Sequence, residues 1–225
     1  MISNQKDNKI IPFWGNIYFQ NRNSPLMEHL IFFHDHAIII IFLIVIWVFQ
    51  IIYTSIGNNF FNRFTSECQD LEIFWRILPS FVLLFLSFPS MKILYITEEF
   101  INSIFSVKVT GHQWYWRYEY SDFLESEFDS FLEERNFIRL LDTSHYLTLL
   151  TKYSSRILIS SEDVIHSWTI PSLGVKVDAV PGRINQVIVH PNRIGIFTGQ
   201  CREICGANHS FMPITISRVN SFNFK

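Results

Sequence analysis

Cys201-Arg-Glu-Ile-Cys205-Gly-Ala-Asn-His209-Ser-Phe-Met212 places two thiols, an imidazole and a thioether within twelve residues. Such donors bind metals, and soft ones. Thiolate and thioether favour copper(I), zinc or iron-sulfur over magnesium or calcium, and imidazole suits zinc and copper. The methionine discriminates: zinc closes a tetrahedron with Cys and His, whereas copper electron-transfer sites carry a weak axial Met. Taken alone, the segment also admits a disulfide between Cys201 and Cys205, a zinc clip or an ordinary core loop. A copper site needs a further ligand from elsewhere in the chain. The candidate is His166 in Ser160-Ser-Glu-Asp-Val-Ile-His166-Ser-Trp168, although a lone His beside a Trp is more often structural.

The elements that must position these groups fall into a membrane part and a soluble part. The chain has 225 residues, 48% hydrophobic and 16% aromatic, too apolar for an ordinary soluble domain. Ala37 to Ile56 is twenty residues, fourteen of them Ile, Leu, Phe or Val, and a helix of that length spans the ~30 Å hydrocarbon core. At about −0.3 to −0.6 kcal/mol per such residue, insertion gains roughly 4 to 8 kcal/mol, more than Gln50 costs. Ile77 to Ile96 is a weaker span, carrying Pro79, Pro89 and Lys92; neighbouring helices can satisfy the carbonyls that proline frees, and Lys92 can snorkel. Two spans make a hairpin with both termini on one side. The loop has Arg63 against Glu67, Asp70 and Glu72, and the first 26 residues hold three Lys or Arg, so charge does not set the orientation. No removable targeting segment is read in residues 1–26. His34 and His36 point to different helix faces, which makes His34-Asp35-His36 an interfacial polar collar rather than a chelating pair.

From Thr97 the chain turns soluble in character, giving domains at 1–26, 27–96 and 97–225. Short β-branched runs at 107–110, 157–160, 186–190 and 214–217, separated by Gly, Pro, Asn and Ser, predict an all-β sandwich or barrel. His112-Gln-Trp-Tyr-Trp116 is ordinarily core and girdle; strand alternation puts Trp114 and Trp116 on one face. Ser121 to Glu134 contains six acids and no Lys or Arg, which reads either as a solvated loop or as an attractor of a basic partner. A net charge of −2 predicts nothing about nucleic acid, and no basic cluster exists to propose such a partner, so none is expected.

These motifs, with Pro171-Ser-Leu-Gly174, Pro181-Gly-Arg183 and both apolar segments, resemble mitochondrial-type cytochrome c oxidase subunit II over most of the chain. The resemblance implies a two-helix membrane hairpin followed by a cupredoxin-like Greek-key domain. It implies a dinuclear copper centre (copper A) with Cys201 and Cys205 bridging, His166 and His209 as imidazole ligands, Met212 as a weak ligand and the Glu203 carbonyl as another. It further implies magnesium shared between the Glu203 side chain and subunit I, electron uptake at Trp114, and cytochrome c docking on Asp122, Glu125 and Asp163. Glu72 would mark the entrance of a proton path. The implied setting is the mitochondrial inner membrane, in a complex with subunit I and others, the C-terminal domain in the intermembrane space and Cys68 a free thiol in the matrix loop. The acidic segment is shorter than is common, and Ser144 stands where many members have an acid. Quinol oxidase subunits typically lack the copper ligands kept here, and nitrous oxide reductase has a similar copper site without this hairpin. A membrane-anchored copper-delivery protein is the alternative, which would need neither Met212 nor the Trp-Tyr-Trp segment.

Overall fold

The two apolar segments become helices that overrun the stretches hydropathy marks. The computed structural model describes residues 9–10, 15–59, 67–98, 102–122, 126–133 and 138–219. Helix α1 runs Pro25–Gly57 and α2 runs Gln69–Glu98, against the expected 37–56 and 77–96. Hydropathy marks only the membrane-length centre, while capping sets the true start. Ser24 Oγ accepts the Met27 N–H at 3.0 Å and the Ser24 carbonyl accepts the Glu28 N–H at 3.2 Å, with Pro25 as the first helical residue. α2 continues through Pro79 and Pro89.

By internal contacts the chain forms two units, one of residues 29–96 and one joining residues 1–28 to 97–225. In the first, both helices are long and apolar enough to cross a membrane, with mean hydropathies of 2.7 and 1.8. Their large side chains stay exposed on all sides, an arrangement suited to lipid or to other membrane helices rather than to water. A crevice of about 310 Å³ is lined by His29, Phe32, Phe33 and His36 of α1 and by Pro89, Lys92 and Ile93 of α2. His34 is instead 3.4 Å from Asp35, so the two histidines of the collar do serve different surroundings.

The second unit is all β. Its strands are β1 (Lys9–Ile10), β2 (Phe105–His112), β3 (Tyr115–Tyr120), β4 (Glu127–Ser130), β5 (Leu147–Leu150), β6 (Ser155–Ser161), β7 (His166–Ile170), β8 (Val175–Ala179), β9 (Asn185–Val189), β10 (Gly195–Gln200) and β11 (Pro213–Val219). One sheet has the order β1-β10-β11-β5, another β4-β3-β2-β6-β9, and β7-β8 forms a separate pair. The β2–β6 and β5–β11 pairings are parallel. Alternation explains β6, where Ser155, Ile157, Ile159 and Ser161 are buried and the residues between are half-exposed. Val107, Val109, Trp116, Tyr118, Leu147, Phe197, Ile214 and Ile216, drawn from both sheets, meet in one core.

The chain ahead of α1 is tied into this unit. Asn23 donates its N–H to the Ser172 carbonyl at 2.8 Å, and its own carbonyl accepts the Asn192 N–H at 3.0 Å. Its side-chain Oδ1 accepts the Arg193 N–H at 2.8 Å, and the Ser24 hydroxyl donates to the Leu173 carbonyl at 2.6 Å. Asn23 and Ser24 are accordingly buried, which their polarity alone would not foretell.

One buried charge is out of keeping with the core. Arg218 on β11 is 2% exposed, and none of its three guanidinium nitrogens has a hydrogen-bond partner among the described residues. Its guanidinium carbon sits 5.3 Å from the centre of the Phe197 ring, and burial pulls its pKa down to about 9. A cation over an aromatic face recovers roughly 1–2 kcal/mol, less than an unpaired buried charge costs. Arg218→Leu is therefore expected to stabilise the β-domain by on the order of a few kcal/mol, raising Tm by roughly 5–10 °C. Thermal unfolding of the full chain in detergent, followed by near-UV circular dichroism, checks this; an unchanged or lower Tm would refute it.

Candidate metal centre

The ligand-type residues come from two places in the β-domain and meet at one end of it. β10 runs directly into Cys201, and the loop that follows carries Cys205 and His209 before Met212 leads into β11. His166 opens β7, where every residue is buried. β10 and β7 can lie together because Gly199 has no side chain: a Cβ there would sit 1.8 Å from the Thr169 carbonyl oxygen. The Arg202 N–H donates to the Ser167 carbonyl at 3.1 Å, fastening the loop to β7 just beyond Cys201.

Ligand atoms of His166, Cys201 and Cys205 all lie within 4.8 Å of one another, and the three residues are buried. Cys205 Sγ is 3.4 Å from His209 Nδ1 and 3.4 Å from Met212 Sδ, and Cys201 Sγ is 3.4 Å from the Glu203 carbonyl oxygen. Met212 is 1% exposed, whereas Glu203 and His209 are half-buried. Cys201 and Cys205 are free thiols. All six residues expected to hold metal thus share one site.

His166 carries the clearest mark of a ligand. Its Nε2 lies 2.8 Å from Asp163 Oδ1, which leaves Nδ1, buried and without a hydrogen-bond partner among the described residues, as the atom able to coordinate. A carboxylate that fixes the tautomer of a ligating imidazole is a common metal-site arrangement, and a buried polar atom without a partner calls for an unseen one. The ring is further held by an edge contact with Trp116, centroids 5.8 Å apart, and by Gly111, where a Cβ would lie 2.8 Å from His166 Cδ2.

The electrostatics follow from this packing. Burial alone would raise the Asp163 pKa, but hydrogen bonds with His166 and with the N–H groups of Val164 and Gln113 hold it below the usual carboxylate range. Burial opposes a charged His166, yet the Cys201 sulfur and the Asp163 carboxylate raise its pKa above the ordinary imidazole value. Cys201 is likewise lowered against its burial by the neighbouring imidazole and the backbone at Glu203 and Ser167. Cys205 is pushed up to about 12 by burial and by the charge on Cys201. One thiol of the pair is thus disposed to ionise before the other.

Within the β-domain, the other expected residues that the structure describes lie apart from the donor cluster or at its edge. Trp114 does not share a strand face with Trp116, because residues 113 and 114 form the turn between β2 and β3. Alternation therefore does not reach Trp114. Trp116 is fully buried, while Trp114 packs against the core from its edge and beside Gly206. Asp163 is next to the cluster, and its Oδ2 accepts the Gln113 N–H at 2.6 Å. Asp122 lies just past the far end of β3 from Trp114, where it accepts the Ser106 N–H at 2.8 Å. Glu125 and Arg63 lie outside the described residues. Glu72 sits in the first turn of α2, 3.1 Å from Arg76, and Cys68 is an exposed free thiol.

The fold and the donor set define a membrane-anchored, cupredoxin-like protein with a soft, thiolate-rich metal site. Comparison with known proteins narrows the class. The family model described as cytochrome c oxidase subunit II, periplasmic domain, matches residues 105–219, and that for the transmembrane domain of the same subunit matches residues 12–93. Cytochrome c oxidase subunit 2 of Choristoneura rosaceana is 50% identical over 217 residues, covering 94% of this chain and 95% of the relative. That of Aedes aegypti is 48% identical over 211 residues, covering 92% of each. Among solved structures, the periplasmic domain of cytochrome oxidase subunit II of Bradyrhizobium japonicum is 38% identical with a TM-score of 0.53, covering 54% of this chain and 88% of that one. This chain belongs to the cytochrome c oxidase subunit II family.

Proposed function

We propose that this chain is the electron-uptake subunit of a cytochrome c oxidase, receiving electrons from reduced cytochrome c and delivering them toward heme in subunit I. Oxygen reduction to water, with its proton translocation, then belongs to the partner subunit. The observation that carries this reading is the convergence of Cys201, Cys205, His166, His209 and Met212 on one buried site. Two thiolates, two imidazoles and a thioether are one thiolate more than a single blue-copper ion uses, which fits a pair of copper ions. Copper held by these residues would supply one-electron redox chemistry.

The chain's own residues prepare that site. Asp163 fixes the His166 tautomer, Gly111 and Trp116 hold the ring, and Gly199 lets the two ligand-bearing segments approach. Trp114, beside the residue that follows Cys205, offers a π-system at the edge of the domain for uptake from the donor. Asp122, Glu125 and Asp163 would draw a basic cytochrome c to this domain, with a salt-dependent rate. Glu203 would turn its carboxylate to a magnesium ion shared with subunit I, and Glu72 would open a proton path. The setting that matches these roles is the mitochondrial inner membrane, with the hairpin (27–96) in lipid and the copper domain (97–225) in the intermembrane space. A copper-delivery role is disfavoured, since cysteines 5% and 3% exposed, with Met212 packed on one of them, are poorly placed to hand a metal on.

Copper counting with electron paramagnetic resonance on the purified full chain tests the proposal. Two coppers per chain with a delocalised mixed-valence signal are expected. A single copper(I), or zinc in its place, would overturn it.

A further inference from the structure

We infer that Gln113 is a positioning residue for the metal centre, a clamp that holds the His166 segment and the Cys205 loop in one fixed relation. The inference rests on the copper reading above. Sequence motifs place Gln113 between two more conspicuous residues, His112 and Trp114, and give it no role. In the structure it touches both halves of the site. Its backbone N–H donates to Asp163 Oδ2 at 2.6 Å, and the other oxygen of that carboxylate is 2.8 Å from His166 Nε2. Its side-chain amide Nε2 donates to the Cys205 carbonyl at 2.9 Å. A single residue of the β2–β3 turn therefore reaches one ligand through Asp163 and bonds another directly at its backbone.

The Cys205 carbonyl is a telling partner. It belongs to the peptide between Cys205 and Gly206, and Gly206 has φ +124°, a backbone conformation that side chains oppose. A Cβ at Gly206 would lie 3.2 Å from Gln113 Nε2, 3.2 Å from Trp114 Cζ2 and 3.4 Å from Trp114 Nε1. The glycine thus lets the amide and the indole settle on the loop together. Fixing the carbonyl fixes the peptide plane, and with it the direction in which the Cys205 side chain leaves the backbone. The same turn carries Trp114, so the clamp also sets how closely the indole approaches the Cys205 loop. Side chains that hold a ligand's geometry in this way typically change metal affinity 10- to 100-fold when removed.

Gln113→Met keeps the length of the side chain and removes its donor. In the copper-loaded full chain, copper retention against a competing chelator is expected to weaken about tenfold, the ratio that one lost hydrogen bond of ordinary strength gives. The thiolate-to-copper absorption bands and the resonance hyperfine pattern should shift, while the Tm of the metal-free chain changes little. Wild-type affinity and spectra in Gln113→Met would overturn the inference, as would a fall in metal-free Tm that accounts for the whole copper effect. Should Gln113→Met not fold, Gly206→Ala decides, since its methyl displaces the same amide from the loop side; it should shift the spectra in the same sense, and unshifted spectra would overturn the clamp. A wild-type chain that binds no copper pair would instead sink the copper reading itself.

Discussion

Gly199→Ala is expected to abolish the folded copper domain or, where the fold survives, to empty the metal site. The added methyl would lie 1.8 Å from the Thr169 carbonyl oxygen, 2.9 Å from its carbon and 3.2 Å from Ile170 Cα. All three atoms are backbone, so no side chain can swing aside. Relief requires β10 to move off β7, and these strands lead to Cys201 and from His166 respectively. Overpacking usually costs about 1–3 kcal/mol, but a backbone clash this close belongs with the exceptional losses above ~4 kcal/mol. Limited proteolysis and copper counting on the full chain report the two outcomes. Gly57→Ala, where a Cβ meets nothing within 4 Å among the described residues, is the contrasting substitution and should leave both unchanged. A Gly199→Ala chain with wild-type Tm and copper content would show that the strand contact does not set the ligand spacing.

Trp114→Phe is expected to slow electron uptake from cytochrome c by on the order of a hundredfold while copper content stays at the wild-type level. Trp114 supplies no donor to the cluster, and phenylalanine keeps part of its packing against the core. What is lost is the larger ring that lies beside Gly206, and a misplaced reacting group of this kind commonly costs about 10²-fold. Stopped-flow oxidation of reduced cytochrome c by the assembled oxidase measures the rate, and metal analysis measures the copper. Unchanged transfer would remove Trp114 from the path. Unchanged transfer only at low salt would place the residue in docking rather than in transfer.

The parts legible in the sequence were those in which residue type and function coincide. Cys201, Cys205, His209 and Met212 announce themselves by spacing, and two apolar runs of twenty announce the hairpin. His166 is legible only through what that cluster lacks. The missed parts depend on contacts between distant segments. Nothing local in Asn23 or Ser24 tells that they bond to residues 172, 173, 192 and 193. Gly111 and Gly199 did carry a signal, since glycine inside a strand often marks close approach of another group, but what approaches could come only from the fold. The sequence marks Asp163 only as a docking acid, and its bond to His166 is a separate duty that spacing of three residues permits without requiring. Arg218 is the opposite case: its charge argues for the surface, and the burial of every β11 residue overrides it.

The parallel pairings have a consequence for the order in which this protein matures. β5 must wait for β11, with Leu147 opposite Ile216, and β2 must wait for β6, with Phe105 opposite Ser155. Contacts so far apart along the chain form late, because loop closure is an entropic cost met before any of them stabilises the domain. The hairpin, by contrast, needs only local helical bonds. β11 follows directly on Met212, so the pocket that buries both thiols is completed only when the last strand docks. Until then Cys201 and Cys205 are open to oxidation, four residues apart on a nascent loop. A reducing environment would matter most to this chain in the period before β11 docks.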